Sequence, residues 1–192
     1  MASVKQNSFI LTYPHLLDSD VCEGLIKWYN KSSDVKTVIA ERETRRDVQK
    51  WLTEEYEELW EPLQKMKMDM AKFYQERFTF AYRGRKKLLA PESKIQRTDP
   101  FGGGFHTFHS EISHWENCSR VLVWTIYLND MPEGEGTTEF LFDDVKIQPK
   151  QGLGVIWPAA WMFQHRGNPV HTHPKYIATG WYWYPKEEFY YK

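Results

Sequence analysis

Gly102-Gly-Gly-Phe-His-Thr-Phe-His-Ser-Glu111 is the stretch on which the reading of this chain turns. Residues 104–109 read as a strand, and on a strand positions i and i+2 share a face. His109 and Glu111 therefore aim the same way while Ser110 points away. His165 follows 56 positions after His109, and Lys175 ten positions after that. Two imidazoles and one carboxylate form the 2-His-1-carboxylate set, which holds Fe(II) on one face and leaves its other positions open. The three glycines do not read as a phosphate loop, because no helix follows them. They mark a bulge or a close approach of backbone to backbone.

Outward from that stretch, the hydrophobic period is two from Lys94 onward. Candidate strands are 94–98, 104–109, 120–128, 138–142, 144–148, 153–157, 161–165 and 175–184. Arg120-Val-Leu-Val-Trp-Thr-Ile-Tyr-Leu128 is β-branched and aromatic on both faces, which suits a buried strand. Pro132-Glu-Gly-Glu-Gly136, Pro149-Lys-Gln-Gly152 and Arg166-Gly-Asn-Pro169 supply the turn signals. Eight short strands after two or three helices predict a jelly roll with helices on one outer face. Strands distant in sequence lie side by side in such a fold, which is how His109 and His165 would meet.

Upstream, the period is helical. Residues 18–32 place Val21, Cys22, Leu25, Ile26 and Tyr29 on one face, with Asp18 or Ser19 as cap. A second helical pattern runs from about Val48 to Phe78 through Trp51, Leu59, Leu63, Met66, Met70 and Phe73, with Pro62 starting a new helix or kinking the existing one. The basic run Arg83 to Lys87 reads as a solvated loop, with a mobile substrate-facing loop as the alternative.

The bulk numbers set limits. A chain of 192 residues fits one domain able to bury a core unaided. We expect a single domain over 1–192: a helix-rich support region at 1–93, a β core at 94–185 and a tail at 186–192. The net charge of -1 gives no pull toward nucleic acid or an anionic membrane. Two cysteines, Cys22 and Cys118, cannot build a disulfide framework, no apolar run reaches membrane-spanning length, and Met1 to Ser8 lacks a signal-peptide core. The expected location is the cytoplasm.

From Lys94 to Tyr184 the chain resembles the prolyl 4-hydroxylase-like branch of the 2-oxoglutarate/Fe(II) dioxygenases. The resemblance is carried by Gly102 to Glu111, Thr125-Ile-Tyr-Leu-Asn129, Gly134-Glu-Gly-Thr-Thr-Glu-Phe140 and Val145-Lys-Ile-Gln-Pro149. It continues in Gly152-Leu-Gly-Val, His165-Arg-Gly-Asn-Pro-Val170 and Lys175-Tyr-Ile-Ala-Thr-Gly-Trp181. It implies a mainly β fold with flanking N-terminal helices, a double-stranded β-helix. It implies Fe(II) on His109, Glu111 and His165, and 2-oxoglutarate on Lys175 with Tyr127 and Thr179. It further implies O2 as oxidant, succinate and CO2 as products, a peptidyl proline as substrate by analogy, and ascorbate as a further cofactor that the branch allows. Two departures stand out. Glu111 takes the place of the family's usual aspartate, and the tyrosine ahead of the Gly-rich turn is missing, with Gln96 or Thr98 in that neighbourhood.

Other readings are a small-molecule oxygenase, a jelly-roll binding protein with a degraded metal site, and a zinc hydrolase built from His106, His109, His114 and Glu111. The last lacks a helical His-Glu-x-x-His motif. Trp157, Trp161, Phe163 and Trp181 are candidate apolar walls.

Overall fold

The computed structural model describes residues 8–33, 35–79 and 88–184. The basic run at 83–87 and the tail at 186–192 lie outside the described residues. Among the described residues, eleven strands and two α-helices follow, beginning in the order β1 (Leu11–Tyr13), α1 (Ser19–Lys31), β2 (Thr37–Arg42), β3 (Arg45–Trp51) and α2 (Glu57–Arg77). Then come β4 (Lys94–Thr98), β5 (Gly103–His109), β6 (Arg120–Tyr127), β7 (Thr138–Phe140), β8 (Val145–Ile147), β9 (Gly154–Pro158), β10 (His165–Val170) and β11 (Lys175–Trp183). The strands pair antiparallel in the order β1-β9-β6-β11-β4-β3-β5-β10-β7-β8, with β2 attached to β3. The sheet folds over on itself as a double-stranded β-helix, the architecture that the strand count and helical start implied.

Two cores result. On the outer face, Cys22, Leu25, Trp28 and Tyr29 of α1 and Leu63, Met66, Met70 and Tyr74 of α2 pack against Leu122, Trp124, Ile126, Ile156, Ala178 and Tyr182 of β6, β9 and β11. Inside the roll, Val123, Tyr127, Phe140, Ile147, Val155 and Trp157 form a second cluster. Consecutive residues of β6 thus serve opposite cores, which is why that strand is apolar on both faces.

The structure corrects the sequence reading at four places. Val48 and Trp51 belong to a β-hairpin, not to a helix; β2 and β3 pair from Thr37 opposite Lys50 to Arg42 opposite Arg45. The inward positions of β3 are Arg45, Asp47, Gln49 and Trp51, so the period of two is polar and escapes a hydrophobic reading. Pro62 lies inside one continuous helix, Glu57–Arg77, and so does not start a new one. Trp161–Phe163 is a 3-10 turn, and the strand begins at His165 and continues through Arg166-Gly-Asn-Pro169, where a turn was expected. Register shifts on either side of Gly167 accommodate the glycine and the proline. Asp18 does occupy the α1 cap position, but its side chain makes no capping bond.

Close backbone approach is real at Gly103 and Gly152, among other glycines. A Cβ on Gly103 would lie 2.2 Å from the Asp99 carbonyl oxygen, and Gly152 has φ +74 with the Leu17 carbonyl 2.4 Å from its would-be Cβ. Among the described residues no helix is long and apolar enough to cross a membrane. Leu63, fully buried between α2 and the sheet, tests the outer core: Leu63→Ala should cost about 2–5 kcal/mol in urea unfolding. A loss under about 1 kcal/mol would mean that this interface does not hold the helices in place.

Candidate metal centre and cavity

β5 and β10 lie side by side, with His109 opposite His165. Glu111 sits two residues past the end of β5, in a bend instead of on the strand. Its carboxylate still returns to the same spot: Oε1 is 3.9 Å from His109 Nε2 and 3.5 Å from His165 Nε2. One donor atom from each residue falls within 4.8 Å of the others, and this is the metal-competent cluster among the described residues.

Each imidazole is oriented by its other nitrogen. His109 Nδ1 lies 3.0 Å from the Thr107 carbonyl and His165 Nδ1 lies 3.0 Å from the Phe163 carbonyl. A carbonyl can only accept, so Nδ1–H donates and the Nε2 lone pair is left for a metal. Burial, then the nearby His165, lowers His109 to about 4, which keeps it neutral. Burial opposes ionisation of Glu111. The hydrogen bond and charge of His165, with His109 and Lys94, outweigh it and hold the carboxyl below the usual range. Two imidazoles presenting Nε2 and a carboxylate are the donor set that Fe(II) takes, so the residues fit the ion.

The other carboxylate oxygen is also held. Trp181 Nε1 donates to Glu111 Oε2 at 2.9 Å, and Arg120 Nη1 approaches it at 3.4 Å. Trp181 was expected only as an apolar wall, and Arg120 was read only as a strand residue. The Arg120 guanidinium lies 3.5 Å from the Trp181 ring centroid. Phe105 stacks on His109 at 3.7 Å, and Trp157 packs edge-on against His165.

The triad opens into a cavity of about 390 Å³ lined by residues of both sheet halves. Lys175, Thr179 and Trp181 reach it from β11, whose neighbours are β4 and β6. The Lys175 strand therefore does not lie beside the His165 strand, as the sequence reading supposed; the ammonium arrives from across the cavity. Lys175 is buried and donates to the Gly136 carbonyl at 2.6 Å, and burial lowers it to about 8. Thr179 Oγ1 donates to the Trp124 carbonyl at 2.8 Å and pairs with Thr125 Oγ1 at 2.9 Å. Tyr127 donates its phenol to Thr138 Oγ1 at 2.6 Å, and Thr138, not Tyr127, lines the cavity. Gln96 and Thr98 both line it, two register steps apart on one face of β4.

The zinc-hydrolase set does not assemble. His106, within β5, bonds the Gly102 carbonyl, and His114 pairs with Glu116. His171 and His173 are exposed between β10 and β11. Trp161 is 65% exposed, so it is no cavity wall; Trp157 and Trp181 are.

Residues 93–183 match the family described as the 2OG-Fe(II) oxygenase superfamily. No curated protein matches the chain by sequence. Among solved structures, the fold is similar to a viral collagen prolyl hydroxylase from Paramecium Bursaria Chlorella virus-1 in its 2OG complex: TM-score 0.72 and 19% identity, over 94% of this chain and 98% of that one. It is equally similar to a Pseudomonas putida prolyl-4-hydroxylase (0.72, 18%, 92% and 93%). A Trichoplax adhaerens prolyl hydroxylase in complex with a hypoxia inducible factor peptide gives 0.73 at 14%, over 91% and 83%.

The Trp181–Glu111 bond yields a direct test. Trp181→Phe keeps an aromatic ring, though a smaller one, and removes the N–H, so anaerobic Fe(II) affinity against a chromophoric chelator should fall about 10–100-fold. Unchanged affinity would show that the indole does not orient the carboxylate.

Proposed function

We propose that the chain is a 2OG-Fe(II) oxygenase, the family whose model matches residues 93–183, and that it hydroxylates an unactivated C–H bond of a peptide or small molecule. Peptidyl proline is the first candidate, by analogy with the similar folds. The observation that carries the reading is the His109, Glu111 and His165 cluster, with both Nδ1 atoms tied to carbonyls and both Nε2 atoms turned toward one carboxylate oxygen.

In this reading His109, Glu111 and His165 hold Fe(II), and Lys175 takes the distal carboxylate of 2-oxoglutarate. Together iron, 2-oxoglutarate and O2 supply the oxidation: one oxygen atom goes to the substrate, and the keto acid leaves as succinate and CO2. The protein's work is orientation and exclusion of water. The Thr107 and Phe163 carbonyls fix the imidazoles. Trp181 and Arg120 hold Glu111 by its outer oxygen, which accommodates the extra methylene relative to aspartate. Lys175, now turned onto the Gly136 carbonyl, exchanges that weak partner for a carboxylate. Thr179 stands four residues along on the same inner face and offers its oxygen, with Tyr127 held by Thr138 behind it. Trp157, Ile177 and Val123 keep the cavity floor apolar. Ascorbate belongs to the assay as reductant.

Anaerobic addition of Fe(II) and 2-oxoglutarate should produce a weak visible metal-to-ligand band, absent in His165→Ala. Succinate release should accompany it in air. No band from folded, iron-loaded protein would end the reading. Lys175→Met leaves a buried carboxylate unpaired, a loss of about 3–5 kcal/mol, so its KM for 2-oxoglutarate should rise at least 100-fold.

The charge of Lys175 also sets a pH dependence. Burial lowers its ammonium to about 8. It is therefore charged below that pH and neutral above it. The kcat/KM for 2-oxoglutarate, which reports the free enzyme, should fall as pH rises through about 8. Lys175→Arg, permanently charged, should flatten the alkaline limb. An identical limb in Lys175→Arg would assign it to another group.

A further inference from the structure

Five cations line the cavity: Arg45, Lys94, Arg120, Arg166 and Lys175. Three are matched to carboxylates. Arg45 is 2.6 Å from Asp47, Arg166 is 2.8 Å from Glu139, and Arg120 is 3.4 Å from Glu111. Lys175 is accounted for by 2-oxoglutarate in the reading above. Lys94 is left over.

Lys94 is 7% exposed, yet its side chain lines the cavity. Among the described residues its ammonium has no oxygen partner in a hydrogen bond or ion pair. It lies 3.8 Å from the Trp181 ring centroid and 6.0 Å from that of Trp51. Aromatic faces attract a cation, but with far less energy than an enclosed ammonium loses on leaving water. Glu111 and Glu92 act on it only through charge at longer range. A metal at the triad draws on the charge of Glu111, so the ammonium loses much of that support when the site is loaded.

The co-substrate does not fill the gap. Lys175 is paired in register with Thr98, and Lys94 with Thr179. Their Cα positions are four steps apart along the same inner face, about 13 Å. In the proposed function one carboxylate of 2-oxoglutarate goes to Lys175 and the other to the metal. Lys94 sits at the Trp181 end of that face, on the ring whose N–H holds Glu111, and away from Lys175. A group resting on Lys94 is carried by a molecule that also reaches the triad.

We propose that Lys94 is a specificity-determining residue that receives an anionic group, a carboxylate foremost, of the prime substrate, with Trp51 and Trp181 as the walls of the subsite. The inference rests on the proposed function and deepens it: the hydroxylated molecule carries its negative charge near the carbon attacked. A neutral peptide segment leaves the ammonium unmatched and binds weakly. A free acid, or a peptide with an acidic side chain beside the target, satisfies it.

Calorimetry on the full chain loaded with Mn(II) and 2-oxoglutarate tests this without turnover. The titrants are matched pairs: N-acetylproline and N-acetylprolinamide, glutarate and glutaramide, and capped Asp-Pro and Asn-Pro dipeptides, together with inorganic phosphate. At least one acid should bind tenfold or more tightly than its amide. Lys94→Met should erase that preference, and Lys94→Arg should keep most of it; Lys94→Gln replaces Lys94→Met if the latter does not fold. Which pair responds separates a free carboxylate from an acidic side chain. The proposal is overturned if no anion is preferred, if the preference survives in Lys94→Met, or if that variant instead loses Mn(II) or 2-oxoglutarate. Should the wild-type chain fail to take up Mn(II) and 2-oxoglutarate, the proposed function falls. Phosphate titrated into metal-free protein then decides Lys94 by itself: binding lost in Lys94→Met supports it, equal or absent binding refutes it.

Discussion

One strand with two incompatible faces governs this molecule. Along β11, Tyr176, Ala178, Gly180 and Tyr182 turn toward the helices, while Lys175, Ile177, Thr179 and Trp181 turn into the cavity. Polar groups can be held without water on the inner face only because the outer face is packed. Gly180 shows how tight that packing is, since a Cβ there would lie 2.7 Å from the Glu92 carbonyl. Tyr182 donates to the Lys67 carbonyl at 2.6 Å, and the Lys67 ammonium donates to the Ala90 carbonyl and to Ser93 Oγ. That chain of bonds ties α2 to the end of β11 and to the residue before Lys94. The helices therefore work as clamps on the two strands that carry the cavity's lysines.

The same logic explains how a carboxylate stays ionised in an enclosed site. Glu111 divides its oxygens: Oε1 faces the histidines, and Oε2 takes the Trp181 N–H with Arg120 behind. An anion held this way has little freedom to rotate, and most of its desolvation is repaid by fixed donors. A shorter aspartate at position 111 would draw back from Trp181. The longer acid and the indole donor thus read as parts of one arrangement.

Much of this was legible in the sequence, and the failures have a common cause. The α1 face, the two-sided β6 strand and the convergence of His109, Glu111 and His165 follow from apolar period or from metal-ligand spacing. The β2–β3 hairpin did not, because its inward residues Arg45, Asp47 and Gln49 face a polar cavity and its alternation carries no apolar signal. Lys94 and Arg120 were hidden for the same reason. A lysine or arginine at the start of a strand looks like a solvated end, and only the register with β11 reveals that it points inward. Trp181 was seen as bulk because sequence reports an indole's size and not where its N–H aims.

What remains after pairing is a division between the two kinds of cation. The arginines sit against carboxylates: Arg45 reaches both oxygens of Asp47, at 2.6 and 3.1 Å, and Arg166 grips Glu139. A guanidinium suits this, since its planar fork satisfies two acceptors and never loses its charge. The lysines, Lys94 and Lys175, have no carboxylate partner among the described residues. Burial lowers both ammoniums to about 8. A point charge on a flexible stem, near the edge of deprotonation, is poorly suited to bracing a wall. It suits a ligand that comes and goes, because the arriving anion restores the charge that burial has weakened. On the proposed function, the arginines shape the cavity and the lysines are left to meet the anions that enter it.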